Sequence, residues 1–268
     1  LFLPSFSLSL RLPSQQLTTE RLQVRKNSCM SAIVSALRRF KGEPAVRAEL
    51  YNALVKCCEN DRNRILLRSN PILDEVVLAL LSDDVLVCQA AVRLVTSLCV
   101  DPVCMGSLLD NSVVKILLSR VKTAARPLQL LIIHAINDIL HNDPDNAYPY
   151  FIAEGSGINN LLPIITLGVS EGLAQSGPVD EASGEHVVSA AAHERHMLVS
   201  TALSVVSIAA EEPVLVEVMN GANAVEAMLP LMTDMPEDIM VGVAGALWSF
   251  MQTSEKARCS FRTAGGLE

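Results

Sequence analysis

The stretch that decides the fold is Ala246-Leu247-Trp248-Ser249-Phe250, because four earlier blocks of the chain resemble it. The earlier blocks are Ala53-Leu54-Val55-Lys56, Arg93-Leu94-Val95-Thr96, Ala135-Ile136-Asn137-Asp138 and Ala202-Leu203-Ser204-Val205. Their second residues are separated by 40, 42, 67 and 44 positions along the chain. A recurrence near 42 residues, with one longer gap, is typical of a helical solenoid. The sequence therefore predicts stacked helical units that present a long surface, rather than a closed globule.

The composition agrees with helix-on-helix packing. The chain has 268 residues, of which 50% are hydrophobic and only 4% are aromatic. Its seven cysteines are odd in number and form no CxxC pair, so we expect buried free thiols in a reducing compartment. The cytoplasm is the predicted location, with the nucleus as the alternative. No apolar run reaches the roughly 18–20 residues that a membrane span needs, so we expect none.

Charge is distributed unevenly along the chain. Residues 1–70 carry a net charge of +7, whereas residues 71–268 carry −15. The acidic part of the chain, residues 71–268, favours basic protein partners. It argues against nucleic acid as the ligand, because this part of the chain and the nucleic acid backbone are both negatively charged. An ordinary solvated surface is the simpler explanation, and the sequence leaves both open.

The two ends of the sequence suggest a piece of a longer protein. Residues 1–27 combine serine, leucine and four basic residues, which is typical of a disordered lead-in or of a targeting segment. The chain begins at Leu1 rather than methionine and stops just after Gly265-Gly266, where another helix is expected to open.

The remaining residues, 28–268, divide into units that each contain two apolar helical stretches. The predicted repeats are 28–70, 71–111, 112–155, 156–221 and 222–264, with the start of a sixth at 265. The fourth repeat is too long by about 25 residues. Its excess is polar and glycine-rich, which indicates a surface loop inserted at 169–193.

The corners between units resemble those of the armadillo repeat family. The stretches that carry the resemblance are Ile152-Ala153-Glu154-Gly155-Ser156-Gly157-Ile158, Phe261-Arg262-Thr263-Ala264-Gly265-Gly266-Leu267 and, more weakly, Val218-Met219-Asn220-Gly221-Ala222. Glycine and asparagine suit such corners because they adopt a left-handed backbone at low cost. The resemblance covers 28–268 and implies an all-α fold, a right-handed α-solenoid (alpha-alpha superhelix) of about five armadillo-like repeats. HEAT repeats are the related architecture that the sequence leaves open.

In that family the third helix of each unit lines a concave groove, and positions four apart on it face the ligand. The tryptophan and asparagine ladders of nuclear-import adaptors are not present at the matching positions, and neither is the basic groove of the β-catenin type. The groove residues that the resemblance suggests here are Asn52, Lys56, Arg93, Thr96, His134, Asp138, Thr201, Trp248 and Ser249. As the chain's one tryptophan, Trp248 is either a packing residue or an interaction hot spot.

No pattern in the sequence indicates catalysis. Phosphate-binding, dinucleotide-binding, nucleophile-elbow and zinc-cysteine motifs are all missing from the sequence. His193 and His196 are three apart, whereas a zinc-binding helix of the HExxH type needs four. We therefore predict no enzyme activity, no cofactor and no metal.

The sequence predicts a non-catalytic scaffold or adaptor that binds a protein partner, either an extended segment or a helix, along the groove. Two alternatives stay open. The protein is a chaperone cofactor or regulator that grips a folded partner with its ends or its inserted loop, or it is the targeting arm of a larger enzyme. The sequence does not identify the partner or the oligomeric state.

Overall fold

The computed structural model describes residues 31–68, 72–170, 190–233 and 235–266, and the regular structure in these ranges is helical throughout. The helices are α1 (31–39), α2 (Pro44–Cys58), α3 (Asp61–Leu67), α4 (Ile72–Leu80), α5 (Val85–Cys99), α6 (Pro102–Asp110), α7 (Val113–Val121), α8 (Arg126–Asn142), α9 (Pro144–Ala153), α10 (Gly155–Ile158), α11 (Leu162–Ser170), α12 (Ala190–Ala209), α13 (Pro213–Gly221), α14 (Ala224–Met228), α15 (Glu237–Thr253) and α16 (Glu255–Thr263). Short 3₁₀ segments follow α10 and α14. The predicted lead-in, 1–27, and residues 171–189 of the predicted loop lie outside the described ranges.

The helices form a solenoid of repeating triplets, each with a short first helix, a second helix and a long third helix. The long helices are α2, α5, α8, α12 and α15, and each packs along the next one in this order. Second helices stack in the same way, α4 on α7 and α11 on α14. The predicted all-α, right-handed solenoid of about five armadillo-like repeats is confirmed.

Capping residues explain why a short helix begins directly after each long one. Asp101 ends the segment after α5 and accepts a hydrogen bond from the amide of Cys104 at 3.0 Å, and Pro102 opens α6. Asp143 and Glu212 do the same before Pro144 and Pro213. An acidic N-cap followed by proline starts a helix well, because the cap satisfies a free amide and proline lacks one. The sequence analysis predicted two helices in each unit. It missed the short first helix, which begins at these caps.

The corners use left-handed residues, although not always those that the sequence suggested. Positive φ occurs at Ser112, Asn223 and Gly265 among the described residues. The left-handed backbone of Gly265 agrees with the prediction for the corner 261–267. At the corner predicted for 218–222, the left-handed residue is Asn223, one position beyond that stretch. The prediction was wrong for the corner 152–158, where Gly157 is helical and lies against Leu118. A Cβ at Gly157 would lie 3.0 Å from that leucine, so close packing explains this glycine.

One continuous apolar core runs between the layers of helices, and aliphatic side chains dominate it. The six cysteines of the described residues form no disulfide bond with one another, and four of them are buried. Burial raises the pKa of Cys58 and of Cys104 to about 12, so these thiols stay protonated and act as small apolar side chains.

Candidate functional site on the exposed face of the long helices

The long helices expose one stripe each, and together these stripes form a surface that we call the ladder face. The order of buried and exposed residues is similar in successive long helices. Equivalent positions are 41 residues apart between α5 and α8, 66 apart between α8 and α12, and 44 apart between α12 and α15. The ladder face consists of Arg93, Ser97, His134, Asn137, Asp138, Ser200, Ser204, Ala244 and Trp248, and α2 extends it with Ala53 and Lys56.

This alignment differs by one residue from that of the sequence blocks. The blocks paired Leu94 with Ile136, whereas burial pairs Val95 with Ile136. One residue rotates a side chain by about 100° around a helix, so such a shift exchanges an exposed position for a buried one. His134 and Asp138 on α8 keep their places on the exposed stripe, while on α12 the exposed position is Ser204.

The residues suggested for the groove have different degrees of exposure. Lys56, Arg93 and Trp248 are exposed, whereas Asn52, Thr96, His134, Asp138 and Ser249 are half-buried. Thr201 is only 8% exposed, and its hydroxyl donates to the Met197 carbonyl at 2.7 Å. Its side chain is therefore used inside its own helix, and we leave it out of the ladder face.

Ser97, Ser200 and Ser204 are candidates that the sequence reasoning missed. The signal was present in α12, where Ser200, Ser204 and Ser207 follow each other at helical spacing within an otherwise apolar segment. Small polar residues at i, i+4 and i+7 lie on one side of a helix, which predicts an exposed stripe.

Two polar contacts connect neighbouring long helices across the ladder face. The Ser204 hydroxyl donates to Oδ1 of Asn137 at 2.9 Å and joins α12 to α8. Nε2 of His196 lies 2.6 Å from Oδ2 of Asp238, a hydrogen bond that joins α12 to α15. These contacts show that the exposed stripes of α8, α12 and α15 lie side by side.

Asp138 lies near the middle of the ladder face, and its side chain is only partly exposed to solvent. The side chain is half-buried, and the carboxylate makes no hydrogen bond or ion pair with any described residue. Asn142 donates to the backbone carbonyl of Asp138 instead, at 2.8 Å. Burial raises the pKa of the Asp138 carboxyl, while the nearby His134 and His141 oppose the shift. A carboxylate that has lost part of its hydration without gaining a partner favours an external cation.

Trp248 lies on α15, the last long helix among the described residues, and is 62% exposed. Two adjoining cavities, of about 560 and 540 Å³, lie against its indole. The residues that line both cavities are Trp248, Met251, Phe261 and Gly266, and the larger cavity is also lined by Leu229, Met232 and Leu247. Its one acidic lining residue is Glu226, on α14. The walls are mostly apolar, so this end of the ladder face suits a bulky apolar side chain.

Neither a cluster of metal-ligand side chains nor a bilayer-spanning helix occurs in the described ranges. His, Cys, Asp and Glu side chains there form no group of three that suits a metal ion. None of the helices in the same ranges has the length and apolar character needed to cross a bilayer.

Solved structures with similar architecture are repeat proteins. An engineered protein of the Northeast Structural Genomics Consortium superposes with a TM-score of 0.65 at 17% identity, covering 84% of this chain and 81% of that one. A designed armadillo repeat protein gives 0.60 at 15% identity, with 81% and 82% covered. A second designed armadillo repeat protein, in complex with the peptide (KR)4, gives 0.60 at 13% identity, with 82% and 81% covered.

No protein-family model matches the sequence, and no curated protein matches it either. The structural similarity at these identities concerns the fold alone, and it agrees with the triplets of helices described above. The chain therefore has the fold of an armadillo-type solenoid.

Proposed function

We propose that this protein is a non-catalytic scaffold or adaptor, and that it binds a protein partner along the ladder face. One observation carries the proposal. The long helices present a continuous stripe of exposed side chains on a rigid apolar core, and on α15 that stripe carries an exposed tryptophan. Tryptophan in such a position is typical of interaction hot spots.

The partner is an extended segment or a helix. A solenoid offers one row of side chains per repeat, so an elongated ligand contacts several long helices at once. A designed armadillo repeat protein of similar fold is in complex with a peptide, which supports this mode of binding. Residues 28–268 form the binding domain in this proposal. A reducing compartment, the cytoplasm or the nucleus, suits a chain whose described cysteines form no disulfide bond with one another.

The test compares two variants of the full protein by affinity purification and mass spectrometry. The ladder variant changes Lys56, Arg93, His134 and Trp248 to alanine. The control variant changes Arg62, Leu78, Ser119 and Lys122 to alanine. These two basic, one apolar and one polar residue are exposed on first and second helices or in the turn after α7. Circular dichroism and thermal unfolding check that both variants fold.

We expect specific partners to be lost from the ladder variant and kept by the control variant. Partners that both variants keep, but that a deletion within 169–193 removes, would contradict the proposal and support a regulator that grips its partner through the loop. Equal loss from both variants would also contradict it, because binding would then not depend on this face.

A further inference from the structure

An exposed apolar patch lies on the layer of second helices, which packs against the long helices. Leu78 and Leu81 on α4 are 52% and 55% exposed, and Val85 and Leu86, also exposed, follow directly after the turn to α5. These four are among eleven exposed large apolar side chains in the described ranges, and they fall within nine residues of sequence. Such a concentration of exposed apolar side chains is typical of an interaction site.

The two leucines of α4 lie in the interior of the solenoid's row of second helices. On one side α1 is held to α4 by the hydrogen bond from Arg38 to Glu75 at 2.9 Å. On the other side α7 packs along α4. The exposure of Leu78 and Leu81 therefore does not depend on where the sequence begins or ends.

Cations lie on both sides of these leucines. The burial pattern of α4 recurs 41 residues later in α7, so Leu81 corresponds to Lys122 and Leu78 to Ser119. On the side of α1, the last residue of the helix is Arg39. Arg39 and Lys122 are exposed, and neither forms an ion pair with a residue in the described ranges.

Unpaired cations by themselves do not mark a site, because Arg93 on α5 and Arg62 on α3 are equally exposed without an ion pair among the described residues. The cations beside α4 differ from these because a pair of exposed leucines lies between them. An apolar surface with positive charge at its borders favours a ligand that is apolar in the middle and acidic at its edges.

The charge along α4 has the opposite sign. Asp74 lies one turn before Leu78, Asp83 follows Leu81 in the turn to α5, and both carboxylates are exposed. A uniformly anionic surface such as a lipid bilayer does not complement this arrangement, because it would also meet the two carboxylates. A helix that lies along α4 complements it, because a helix separates an apolar face from charged flanks.

We infer that Leu78 and Leu81 form a docking site for an amphipathic helix of a partner protein, whose apolar face is flanked by acidic residues. The small side chain of Ser119 on α7 leaves room for the apolar residues of that helix beside the leucines. This site is separate from the ladder face and goes beyond the proposed function. A partner held here is lost from the variant in which Leu78 and Lys122 are alanine, and is kept by the ladder variant.

The experiment uses a display library of eighteen-residue, alanine-based helical peptides in which one face and its flanks are randomised. Peptides selected on the full protein are measured against Leu81→Ser and against Lys122→Glu, which reverses the charge beside the leucines. The matched controls are Val214→Ser and Lys256→Glu, at exposed positions of α13 and α16. A second form of each peptide carries lysine in place of the acidic residue nearest to Lys122.

We expect the selected peptides to share large apolar residues three or four apart with aspartate or glutamate beside them, and to become more helical on binding. Leu81→Ser should weaken binding about thirtyfold and Lys122→Glu about tenfold. The lysine form of the peptide should bind the unchanged protein weakly and regain about tenfold on Lys122→Glu. Both controls should bind as the unchanged protein does.

Other outcomes would overturn the inference in distinguishable ways. Selected peptides that ignore Leu81→Ser and Lys122→Glu but lose binding to the ladder variant would refute it and support the proposed function. Binding that depends on Leu81 but shows no charge reversal at Lys122 would refute the acidic flank. If Leu81→Ser abolishes binding of the protein to phosphatidylserine vesicles, or abolishes a dimer in light scattering, the occupant is a membrane or a second copy and the inference is wrong.

Discussion

Two surfaces of the solenoid use polar side chains for opposite purposes. At the starts of the short first helices, which we call the cap edge, Asp101 caps α6 and also binds Arg68, and Ser254 caps α16 while donating to Glu217 at 2.6 Å. On the ladder face the carboxylate of Asp138 has no hydrogen bond or ion pair with any residue that the structure describes. The cap edge uses its polar groups for folding, whereas the ladder face leaves some of its polar groups without a partner among the described residues.

This difference explains why the net charge of the chain says little about its ligand. Several acidic residues of the body, among them Asp84, Asp101, Asp143 and Glu212, are helix caps whose side chains accept from backbone amides. A cap is selected for local geometry, so its charge contributes to the total without indicating a binding partner. The predicted preference for a basic partner therefore depends on individual carboxylates such as Asp138.

The largest effect should separate buried from exposed residues on a single ladder helix. Leu94 is fully buried and the adjacent Arg93 is exposed, because one residue turns the side chain by about 100°. We expect Leu94→Ala to lower the free energy of unfolding by about 2–5 kcal/mol through cavity formation. Arg93→Ala should change it by less than about 0.5 kcal/mol. Urea unfolding measures both, and similar losses would contradict the assignment of the exposed stripe.

A smaller effect is expected at the cap edge. Asp101→Ala removes the cap of α6 and leaves Arg68 without its carboxylate, so we expect a loss of about 1–2 kcal/mol in the free energy of unfolding. Asp143→Ala is the matched control, since Asp143 caps α9 without an arginine partner, and its loss should be smaller. Thermal unfolding of both variants gives the comparison, and a larger loss for Asp143→Ala would refute the role of Arg68.

The same residue makes stability depend on pH. The Arg68 hydrogen bond, together with the amide of Cys104, lowers the pKa of the Asp101 carboxyl below its ordinary value of 3.8. A carboxyl group whose pKa is lower in the folded than in the unfolded protein stabilises the fold at pH values above its ordinary pKa. This contribution is lost as the pH falls through the lower pKa of the folded state. We expect Asp101→Asn to flatten the decrease in stability between about pH 5 and pH 2. Equal pH profiles for the two proteins, measured by urea unfolding, would argue against the pair.

The smallest effect on stability is expected on the ladder face. Ser204→Ala breaks the hydrogen bond to Asn137 at an exposed site, where water replaces the lost partner, so unfolding should change by less than about 0.5 kcal/mol. Partner binding should weaken in the same variant if the ladder face is the site. A loss of stability comparable to that of Asp101→Ala would erase the distinction between the two surfaces.

Local sequence signals predicted the helices well. Asp84 in Ser82-Asp83-Asp84 caps the helix Val85–Cys99, and Pro44 after Glu43 opens α2, so both starts can be read from local sequence. The groove positions were harder to predict, because they require the correct rotation of each helix. The alignment of α8 with its neighbours was displaced by one residue, and Thr201 was expected at a surface where the structure exposes Ser204.

The sequence by itself determined the class of fold, because the spacing of apolar residues and the 40-odd-residue recurrence depend only on local geometry and chain length. Only the tertiary structure decided which side of each long helix faces solvent. The exposed side of a long helix depends on how its neighbours pack against it, so the sequence of one helix does not determine it. The cavity beside Trp248 exists only because residues from Glu226 to Gly266, on several helices, are brought together.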